Sequence, residues 1–445
     1  MATTYLTKTP LSGSTSTGTL SVWIKRAGPF NSATNRIFSG FNDASNFTSI
    51  LFRDDDRLEV RHQDSGGDTY KYTLDKVFRD CFAWYHLVVQ FDLTNGVAGD
   101  RVKIYVNGVR QTDFNVETDP SDAAKTMDYN DSSATTLIGQ QESGGYFSGS
   151  MSYFFWIDGT AYTASTFGET DSDSGEWKII TSPSVTYGTN GFLIMKNGNT
   201  ITDQSGGSND WTLGAGTLTK TEDCPDNVFS TLNYLLKSGE TLSNGNTTND
   251  LPSSDKFGGC ATIGVDRYKG KFYAEFMYKS ATANEGALGI FGDVTLACQD
   301  NQGVGKESYS HSYASDGTKY YENSSTSYGD TYDDGDIISI GLDTTNSFLY
   351  FAKNGAWQNG GDPESGATGT GAITISPDDA PDGHWTISAG SVNAAASALW
   401  KSNWGNGYFG DSTISSEGTN ASAIGKFEHD VPAGYTALST KGLQE

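Results

Sequence analysis

The chain has 445 residues, which is enough for two or three independent hydrophobic cores. Charged residues make up only 19%, whereas 53 glycines and many Ser, Thr, Asn and Asp residues indicate short strands joined by frequent turns. We therefore predict an all-β protein. The formal net charge of −25 argues against nucleic acid and anionic membranes as partners, because both would repel it.

The amino-terminal residues lack the pattern of a secretory signal, since no basic region precedes an apolar run. Nowhere do about 18 apolar residues run together, so the sequence predicts no membrane-spanning segment. The cysteines Cys81, Cys224, Cys260 and Cys298 are scattered without a Cys-x-x-Cys pair. We expect them to be reduced and structural, as in a protein that folds in a cytoplasm, with a Cys260–Cys298 disulfide as the alternative.

Two Asn-Gly turns flanked by alternating apolar residues are the clearest local signals. Asn107-Gly108 follows a strand pattern at 84–92 and lies within 102–110, while Asn354-Gly355 follows a strand pattern at 336–343 and lies within 348–357. Asn-Gly accepts the positive φ angles of a type I′ turn, so both sites predict tight hairpins. Because each hairpin follows a strand that ends in Asp, the two halves are predicted to be sandwiches of related architecture.

The spacing of strand patterns also predicts the domain organisation. In the first half, segments 20–25, 49–53, 57–61 and 152–158 are separated by turn residues, as in a two-sheet sandwich, and 152–158 is apolar enough to be buried on both faces. From residue 169 the chain becomes polar, but Trp211 and Phe229 indicate an ordered connector. We predict a first sandwich over 1–168, a connector over 169–257, with completion of the first sandwich as its alternative role, and a second sandwich over 258–445.

The first half resembles the laminin-G-like branch of the concanavalin A-like lectin/glucanase superfamily. The resemblance rests on Leu20-Ser-Val-Trp-Ile-Lys25, Trp84-Tyr-His-Leu-Val-Val89, Ile104-Tyr-Val-Asn-Gly-Val-Arg110 and the closing segment 149–158. It covers residues 1–165 approximately and implies an antiparallel jelly-roll sandwich.

The second half resembles a SPRY domain, which is a sandwich of the same class. The resemblance rests on Lys269-Gly-Lys-Phe-Tyr-Ala-Glu275, Gly335-Asp-Ile-Ile-Ser-Ile-Gly-Leu-Asp343 and Leu349-Tyr-Phe-Ala-Lys-Asn-Gly355. Together the two resemblances imply two tandem antiparallel β-sandwiches of the concanavalin A-like type, joined by an ordered connector.

Further stretches resemble structural proteins of marine, cyanophage-like bacteriophage virions. They are segments 1–9, 203–212 and 223–233, and the ending from 431–435 onward is similar to endings in the same group. Such proteins are tail fibres or lectin-like virion proteins. The resemblance therefore implies a component of a tail fibre or a decoration of the capsid surface.

Catalytic residues are not evident. A retaining glycosidase on this fold needs two carboxylates about 5–5.5 Å apart, which alternate residues of a strand can supply. The nearest approach is segment 169–176, whose Ser and Gly content instead predicts a solvated loop. No nucleophile elbow, phosphate-binding loop or zinc-ligand spacing occurs. His86 and His384 lie in strand-like segments beside aromatic residues, so we interpret both as core residues.

Acidic clusters raise the question of a metal site. Asp54, Asp55 and Asp56 offer the oxygen ligands that calcium prefers, as do segments 64–68 and 330–336, but none has EF-hand spacing. Acidic turns are more often simply solvated. We predict no cofactor, with Ca²⁺ at Asp54, Asp55 and Asp56 as the alternative.

A tyrosine-rich stretch in the second half is the candidate ligand-binding surface. Exposed aromatic rings beside Asn and Asp would suit a glycan, and tyrosine-rich loops on a rigid sandwich also suit protein partners. Packing between loops or against neighbouring subunits is the competing interpretation. The candidate residues are Tyr309, Tyr313, Tyr320, Tyr321, Asn323, Tyr328, Asp330 and Tyr332.

These patterns favour a non-enzymatic virion protein that binds a host-surface glycan or a protein. The alternative is a purely architectural virion component, and a polysaccharide depolymerase is the weakest candidate. We expect the partners to be other virion proteins and a host glycan, without nucleic acid or membrane, and we expect a homo-oligomer in a particle assembled in the host cytoplasm.

Overall fold

A computed structural model describes residues 3–445 except 31, 122–125, 143, 197–199, 238, 252–257, 281–284, 295–302 and 393–396. It divides into two compact units, Met1–Leu218 and Thr219–Glu445. Each unit is built from antiparallel strands and short 3₁₀ turns, so the chain is all-β with two tandem β-sandwiches, as predicted. In the described part of the chain, no helix has the length and apolar character needed to cross a membrane.

The strands of the first unit are short and closely spaced. They are β1 Tyr5–Lys8, β2 Thr17–Arg26, β3 Asn35–Asp43, β4 Asn46–Phe52, β5 Arg57–Asp64, β6 Gly67–Val77, β7 Trp84–Asp92, β8 Val102–Val106, β9 Val109–Arg110, β10 Phe114–Thr118, β11 Thr135–Ile138, β12 Gly149–Asp158, β13 Gly168–Thr170, β14 Trp177–Ile179, β15 Phe192–Ile194 and β16 Thr212–Ala215. The 3₁₀ turns are Ala98–Asp100, Asp128–Asn130 and Ala164–Thr166.

Two sheets enclose the core of the first unit. Among the described residues their strand orders are β10-β6-β5-β4-β3-β11-β1-β16 and β15-β12-β2-β7-β8-β9. Strand alternation explains the core, because Leu20, Val22 and Ile24 share one face of β2 and are buried against the facing sheet. Aromatic rings fill the space between the sheets, with Phe38 and Tyr129 stacked at a centroid distance of 4.3 Å.

The outer face of the second of these sheets is also covered. Phe155 and Ile157 of β12 and Val88 of β7 are buried beneath a segment that contains Phe167 and the partly buried Trp177. Strand β12 is therefore buried on both faces, which confirms the interpretation of segment 152–158 and explains its continuous apolar run.

The predicted connector is divided between the two units. Strand β15 pairs with β12, and β16 pairs with β1, so the residues before Thr219 complete the first sandwich. The residues after Leu218 belong to the second unit, where the strand Thr248–Leu251 pairs with the strand Ala398–Asn403. These pairings join residues far apart in sequence, so the polar composition of 169–257 does not reveal them.

The second unit has the same construction. Its strands are β17 Thr241–Ser243, β18 Thr248–Leu251, β19 Gly258–Cys260, β20 Val265–Asp266, β21 Lys271–Ser280, β22 Gly286–Phe291, β23 Ser310–Ala314, β24 Thr318–Tyr321, β25 Ser324–Ser327, β26 Ile337–Asp343, β27 Phe348–Lys353, β28 Ala356–Trp357, β29 Ile373–Thr374, β30 His384–Ser391, β31 Ala398–Asn403, β32 Tyr408–Phe409, β33 Ser412–Thr413 and β34 Thr436–Ala437. The 3₁₀ turns are Tyr234–Leu236, Gln358–Gly360, Gly366–Thr368, Pro377–Asp379 and Gly442–Gln444.

Two sheets again face each other in the second unit. Within its described residues the main strand orders are β17-β18-β31-β21-β26-β27-β28 and β19-β30-β22-β23-β24-β25. Strand β29 adds to β27, β34 to β21 and β20 to β30. Tryptophan side chains fill much of the interior. Phe276 packs edge-on against Trp404 at a centroid distance of 5.0 Å, and Trp400 is fully buried.

Both predicted Asn-Gly hairpins are confirmed. Asn107-Gly108 and Asn354-Gly355 adopt positive φ angles of 47° and 79°, and of 47° and 81°, between β8 and β9 and between β27 and β28. In each case the Asn side chain accepts a hydrogen bond from the first strand of the motif, at His86 N and at Ile337 N. The two units therefore share the same Asn-Gly turn, in which the Asn side chain accepts the same hydrogen bond from the preceding strand.

Candidate functional site

Three of the candidate tyrosines lie in the core of the second unit, which corrects the prediction for them. Tyr313, Tyr328 and Tyr332 are at most 4% exposed. The ring of Tyr313 packs against Tyr332 at 5.1 Å and against Phe351 at 5.6 Å. The Tyr332 hydroxyl donates to the Gly286 carbonyl at 2.9 Å. These residues have no surface with which to contact a ligand, since their rings point between the two sheets.

The remaining candidates are dispersed over the surface. Asn323 is exposed in the turn between β24 and β25, where its φ of 59° suits the turn. Asp330 is exposed and its backbone N–H donates to the side chain of Gln358. Tyr309 is partly exposed in the turn before β23. No described hydrogen bond or ring contact joins these three residues to one another.

The neighbours Tyr320 and Tyr321 point to opposite faces of their sheet, because successive side chains of a strand alternate. Tyr320 packs on the outer face, where the Lys306 ammonium lies 6.0 Å from the ring centroid. Tyr321 faces the other way, toward one end of the space between the sheets. The two rings therefore cannot form one binding surface.

Tyr321 is held in place by two contacts and remains partly exposed. It lies opposite His311 in the β23–β24 pair, and the two rings stack with a centroid distance of 4.4 Å and an interplanar angle of 11°. Its hydroxyl donates to the Asp379 carboxylate at 3.3 Å. Burial and the Asp379 carboxylate raise the pKa of Tyr321, so the hydroxyl remains a donor near neutral pH.

His311 supports the Tyr321 ring from beneath. It is 4% exposed, and Trp385 packs against it edge-on at 6.0 Å. Burial lowers the pKa of His311 to about 4, even though Asp379 lies 3.5 Å from its Nε2 atom. The imidazole is therefore neutral near pH 7 and acts as a flat support rather than as a cation.

A second aromatic ring is attached to the same turn. Arg267 donates to the carbonyls of Pro377 and Ala380 at 3.3 and 3.0 Å, which ties it to the 3₁₀ turn Pro377–Asp379. Its guanidinium also lies 4.8 Å from the ring centroid of Tyr268, and that tyrosine is 58% exposed. An exposed tyrosine supported by a cation on one side is held out toward solvent.

These residues define the tyrosine site: Tyr268, Tyr321, Arg267, His311 and Asp379, gathered around the turn Pro377–Asp379. Ser376 caps the turn by accepting the Asp378 N–H. The site combines two supported aromatic rings with carboxylate acceptors, which is the chemistry that binds flat, hydroxyl-rich molecules.

Sequence reasoning identified Tyr321 but missed the other members of the tyrosine site. The signal for Tyr268 was present, because a tyrosine within Asp266-Arg267-Tyr268-Lys269 is an apolar ring among charged residues of a turn. His311 and Asp379 lie 68 positions apart. Nothing local in the sequence pairs them, because the turn reaches β23 only through the tertiary fold.

The predicted calcium ligands do not converge, which corrects that alternative. Asp56 is 1% exposed and pairs with the guanidinium groups of Arg26 at 3.1 Å and Arg79 at 2.8 Å. Asp55 pairs with Arg57 at 3.2 Å, and Asp54 is exposed. Their charge is balanced by arginines, and no group of three or more His, Cys, Asp or Glu side chains within the described ranges is arranged to hold a metal ion.

The acidic segment 169–176 forms the end of the β13–β14 hairpin. Lys178 and the Ser174 backbone and hydroxyl hold the pKa of Asp171 well below its usual range, through bonds of 2.6–2.9 Å. Glu169 and Glu176 are exposed. The ionised Asp171 carboxylate thus accepts hydrogen bonds from its own turn, and the segment is a solvent-exposed loop, as the sequence predicts.

Ser21 and His86 form a buried pair that resembles a nucleophile and its base. Ser21 Oγ lies 2.9 Å from His86 Nε2, while the indole of Trp177 donates to His86 Nδ1 at 2.8 Å. Since Nδ1 accepts, the ring proton resides on Nε2, and the imidazole donates to Ser21 instead of accepting its proton. Both residues are at most 1% exposed, which confirms His86 as a core residue. His384 is partly exposed instead.

The cysteines are placed as follows. Cys81 and Cys260 are buried and Cys224 is half-buried, and none of the three forms a disulfide with another described residue. Cys298 lies outside the described residues, and so does the question of a Cys260–Cys298 disulfide.

Comparison with known families agrees with this architecture. Residues 2–156 match the laminin-G type of the concanavalin A-like lectin/glucanases superfamily. Residues 253–363 match the SPRY domain. The chain therefore contains a concanavalin A-like, laminin-G-type domain followed by a SPRY domain. No curated protein matches the chain.

Several solved structures are similar to parts of the chain. A SAP-like pentraxin from Limulus polyphemus is 21% identical, over 36% of this chain and 72% of the pentraxin chain, with a TM-score of 0.25. The SPRY domain of human HERC1 is 15% identical, over 37% and 91%, with a TM-score of 0.26. A putative carbohydrate binding protein from Bacteroides ovatus is 18% identical, over 49% and 58%, with a TM-score of 0.31.

Proposed function

We propose that this chain is a non-enzymatic binding protein that attaches to a glycan through the tyrosine site. The observation that carries the proposal is a pair of supported tyrosine rings from two different segments, both linked to the turn Pro377–Asp379. Tyr321 rests on His311, and Tyr268 rests on Arg267. Pyranose rings bind to aromatic faces of this kind, and neighbouring carboxylates accept hydrogen bonds from their hydroxyls.

The state of the acidic and nucleophilic groups supports a binding role without catalysis. Asp171 is an ionised carboxylate engaged in its own turn, whereas a retaining glycosidase pairs its nucleophile with a carboxyl group of raised pKa about 5–5.5 Å away. Ser21 is buried and faces a histidine that donates to it. Neither arrangement supplies an activated nucleophile.

We further propose that the protein belongs to the virion of a marine, cyanophage-like bacteriophage, on a tail fibre or the capsid surface. This part rests on the sequence resemblance of segments 1–9, 203–212, 223–233 and 431–435. In this setting the partners are other virion proteins and a host-surface glycan, the protein is a homo-oligomer in the particle, and the high negative charge keeps a crowded assembly soluble.

A purely architectural role in the virion is the second candidate, and strand β25 favours it. Within the described residues of its sheet, β25 is the outermost strand, and its four residues are exposed and uncharged. An uncharged edge offers free backbone donors and acceptors to a strand of another chain.

Binding of the purified full-length protein to a glycan array tests the glycan proposal. Tyr321→Ala should weaken binding about three- to tenfold, whereas Tyr321→Phe, which keeps the ring, should bind nearly as the parent does. Equal loss in both variants would contradict the role of the ring. Electron cryo-microscopy of intact particles tests the virion proposal: solvent exposure of Tyr268 and Tyr321 supports attachment, and a foreign strand on β25 with a covered tyrosine site supports the architectural role.

A further inference from the structure

We infer that the ligand of the tyrosine site is an uncharged glycan rather than a sulfated or uronic acid-containing one. The inference rests on the proposed function and specifies its ligand class. Negative charge surrounds the two tyrosine rings, and the nearby cations are already engaged within the protein.

Carboxylates surround the tyrosine site on each of its elements. At the end of β20, Asp266 accepts the Tyr268 N–H at 2.7 Å. Asp378 and Asp379 lie in the turn Pro377–Asp379, and Asp382 follows and accepts the Val294 N–H at 3.1 Å. On the β24–β25 turn, Glu322 adjoins Tyr321 and acts on it electrostatically. A ligand that lies on either ring therefore approaches several negative charges.

The cations of the tyrosine site offer little to an anionic ligand. The Arg267 guanidinium donates hydrogen bonds to the Pro377 and Ala380 carbonyls, and its flat face lies against the Tyr268 ring. His311 is neutral, because burial lowers its pKa to about 4. Lys319 on β24 lies close enough to His311 to act on it electrostatically, and Lys269 is exposed beside Tyr268, so two lysines oppose the five carboxylates named above.

A neutral sugar suits the same groups. Its hydroxyls donate to carboxylates that accept, so the charges that repel a sulfate are hydrogen-bond partners for an alcohol. Its apolar C–H face packs on the tyrosine rings, which are held before the ligand arrives and lose little conformational entropy on binding. The excess negative charge thus selects against anionic glycans while it orients uncharged ones.

The test uses matched pairs of oligosaccharides that differ only in sulfation or in oxidation to a uronic acid, titrated by calorimetry into the full-length protein. We expect the uncharged member of each pair to bind more tightly, and the difference to shrink as salt is added. The decisive variant is Asp378→Lys, because this exposed side chain has no described hydrogen-bond partner and only its backbone N–H is used, by Ser376. It should raise the affinity for the sulfated member relative to the uncharged one about three- to tenfold at low salt, because it removes a repelling carboxylate and adds a cation.

Asp173→Lys is the matched control, since Asp173 is exposed in the first unit and the replacement changes the net charge equally. It should leave both affinities unchanged. If the sulfated member binds the parent protein as tightly as the uncharged one, the ligand class is wrong while glycan binding stands. If the folded protein binds no glycan at millimolar concentration, the proposed function fails and this inference fails with it.

Discussion

Glu275 of β21 allows a quantitative prediction about pH and stability. Its carboxylate is fully buried and accepts four hydrogen bonds. One oxygen accepts from His429 N at 2.8 Å and from the Tyr273 hydroxyl at 3.0 Å. The other accepts from Glu428 N at 2.8 Å and from Asn403 at 3.2 Å. The carboxylate thus fastens the segment near the carboxyl terminus to the middle of the sheet.

Burial raises the pKa of Glu275 from 4.5 to about 7, although the hydrogen bonds from Glu428 N and His429 N act in the opposite direction. Because the folded protein holds this proton more tightly than the unfolded chain, the contribution to stability is fully present below pH 4.5. It is lost as the pH rises through 7. The shift corresponds to about 3 kcal/mol of unfolding free energy across this window.

The variant Glu275→Gln cannot ionise and should lose this pH dependence. At pH 5 we expect it to be less stable than the parent by about 1–3 kcal/mol, because its amide group leaves at least one backbone N–H without an acceptor. At pH 8 the two proteins should be nearly equal in stability. Comparing the variant with the parent cancels the contribution of other titrating groups, including His311 in the same unit.

The assay is urea unfolding at pH 5 and pH 8, with peptide-resolved hydrogen exchange to report the second unit separately from the first. Glu364→Gln is the matched control, since Glu364 also accepts a backbone N–H of the carboxyl-terminal segment, at Ala433, but at an exposed position. It should follow the parent at both pH values. Parallel pH profiles for Glu275→Gln and the parent would refute the reasoning.

Three further predictions concern the first unit. Asp56→Asn keeps a residue type that tolerates the φ of 67° but removes the charge beside buried Arg26. We expect it to lower the free energy of unfolding by about 3–5 kcal/mol. The control Asp54→Asn, at the exposed neighbouring position, should change it by less than about 0.5 kcal/mol. Burial lowers the pKa of His86 from 6.5 to about 3, so its contribution to stability is present above pH 6.5 and is lost as the pH falls toward 3. His86→Phe should therefore reduce the loss of unfolding free energy between pH 6.5 and pH 3, and an unchanged loss would contradict this. Gly149→Ala would place a methyl group against the Lys25 carbonyl at a φ of 142° and should lower the unfolding midpoint in urea, whereas Gly96→Ala, with open space around it, should not.

The sequence by itself determined the elements whose causes are local. Strand alternation at 20–25 and 84–89 and the Asn-Gly turns at Asn107 and Asn354 depend on residues a few positions apart, so the all-β class and both hairpins were predictable. The continuous apolar run of β12 also predicted its burial on both faces. The laminin-G-like and SPRY resemblances follow from the same local patterns.

Only the tertiary structure decided which polar and aromatic side chains meet. The composition of the stretch that contains Tyr313, Tyr321 and Tyr332 predicts a surface loop. In the structure, strand pairing directs Tyr313 and Tyr332 into the core and leaves Tyr321 at the end of the sandwich. The sequence around Asp56 suggests a metal ligand, whereas the structure places Arg26, from another strand, beside its carboxylate. The physical reason is that a side chain's direction follows from strand register and its neighbours from long-range pairing, and neither is encoded within the few residues around it.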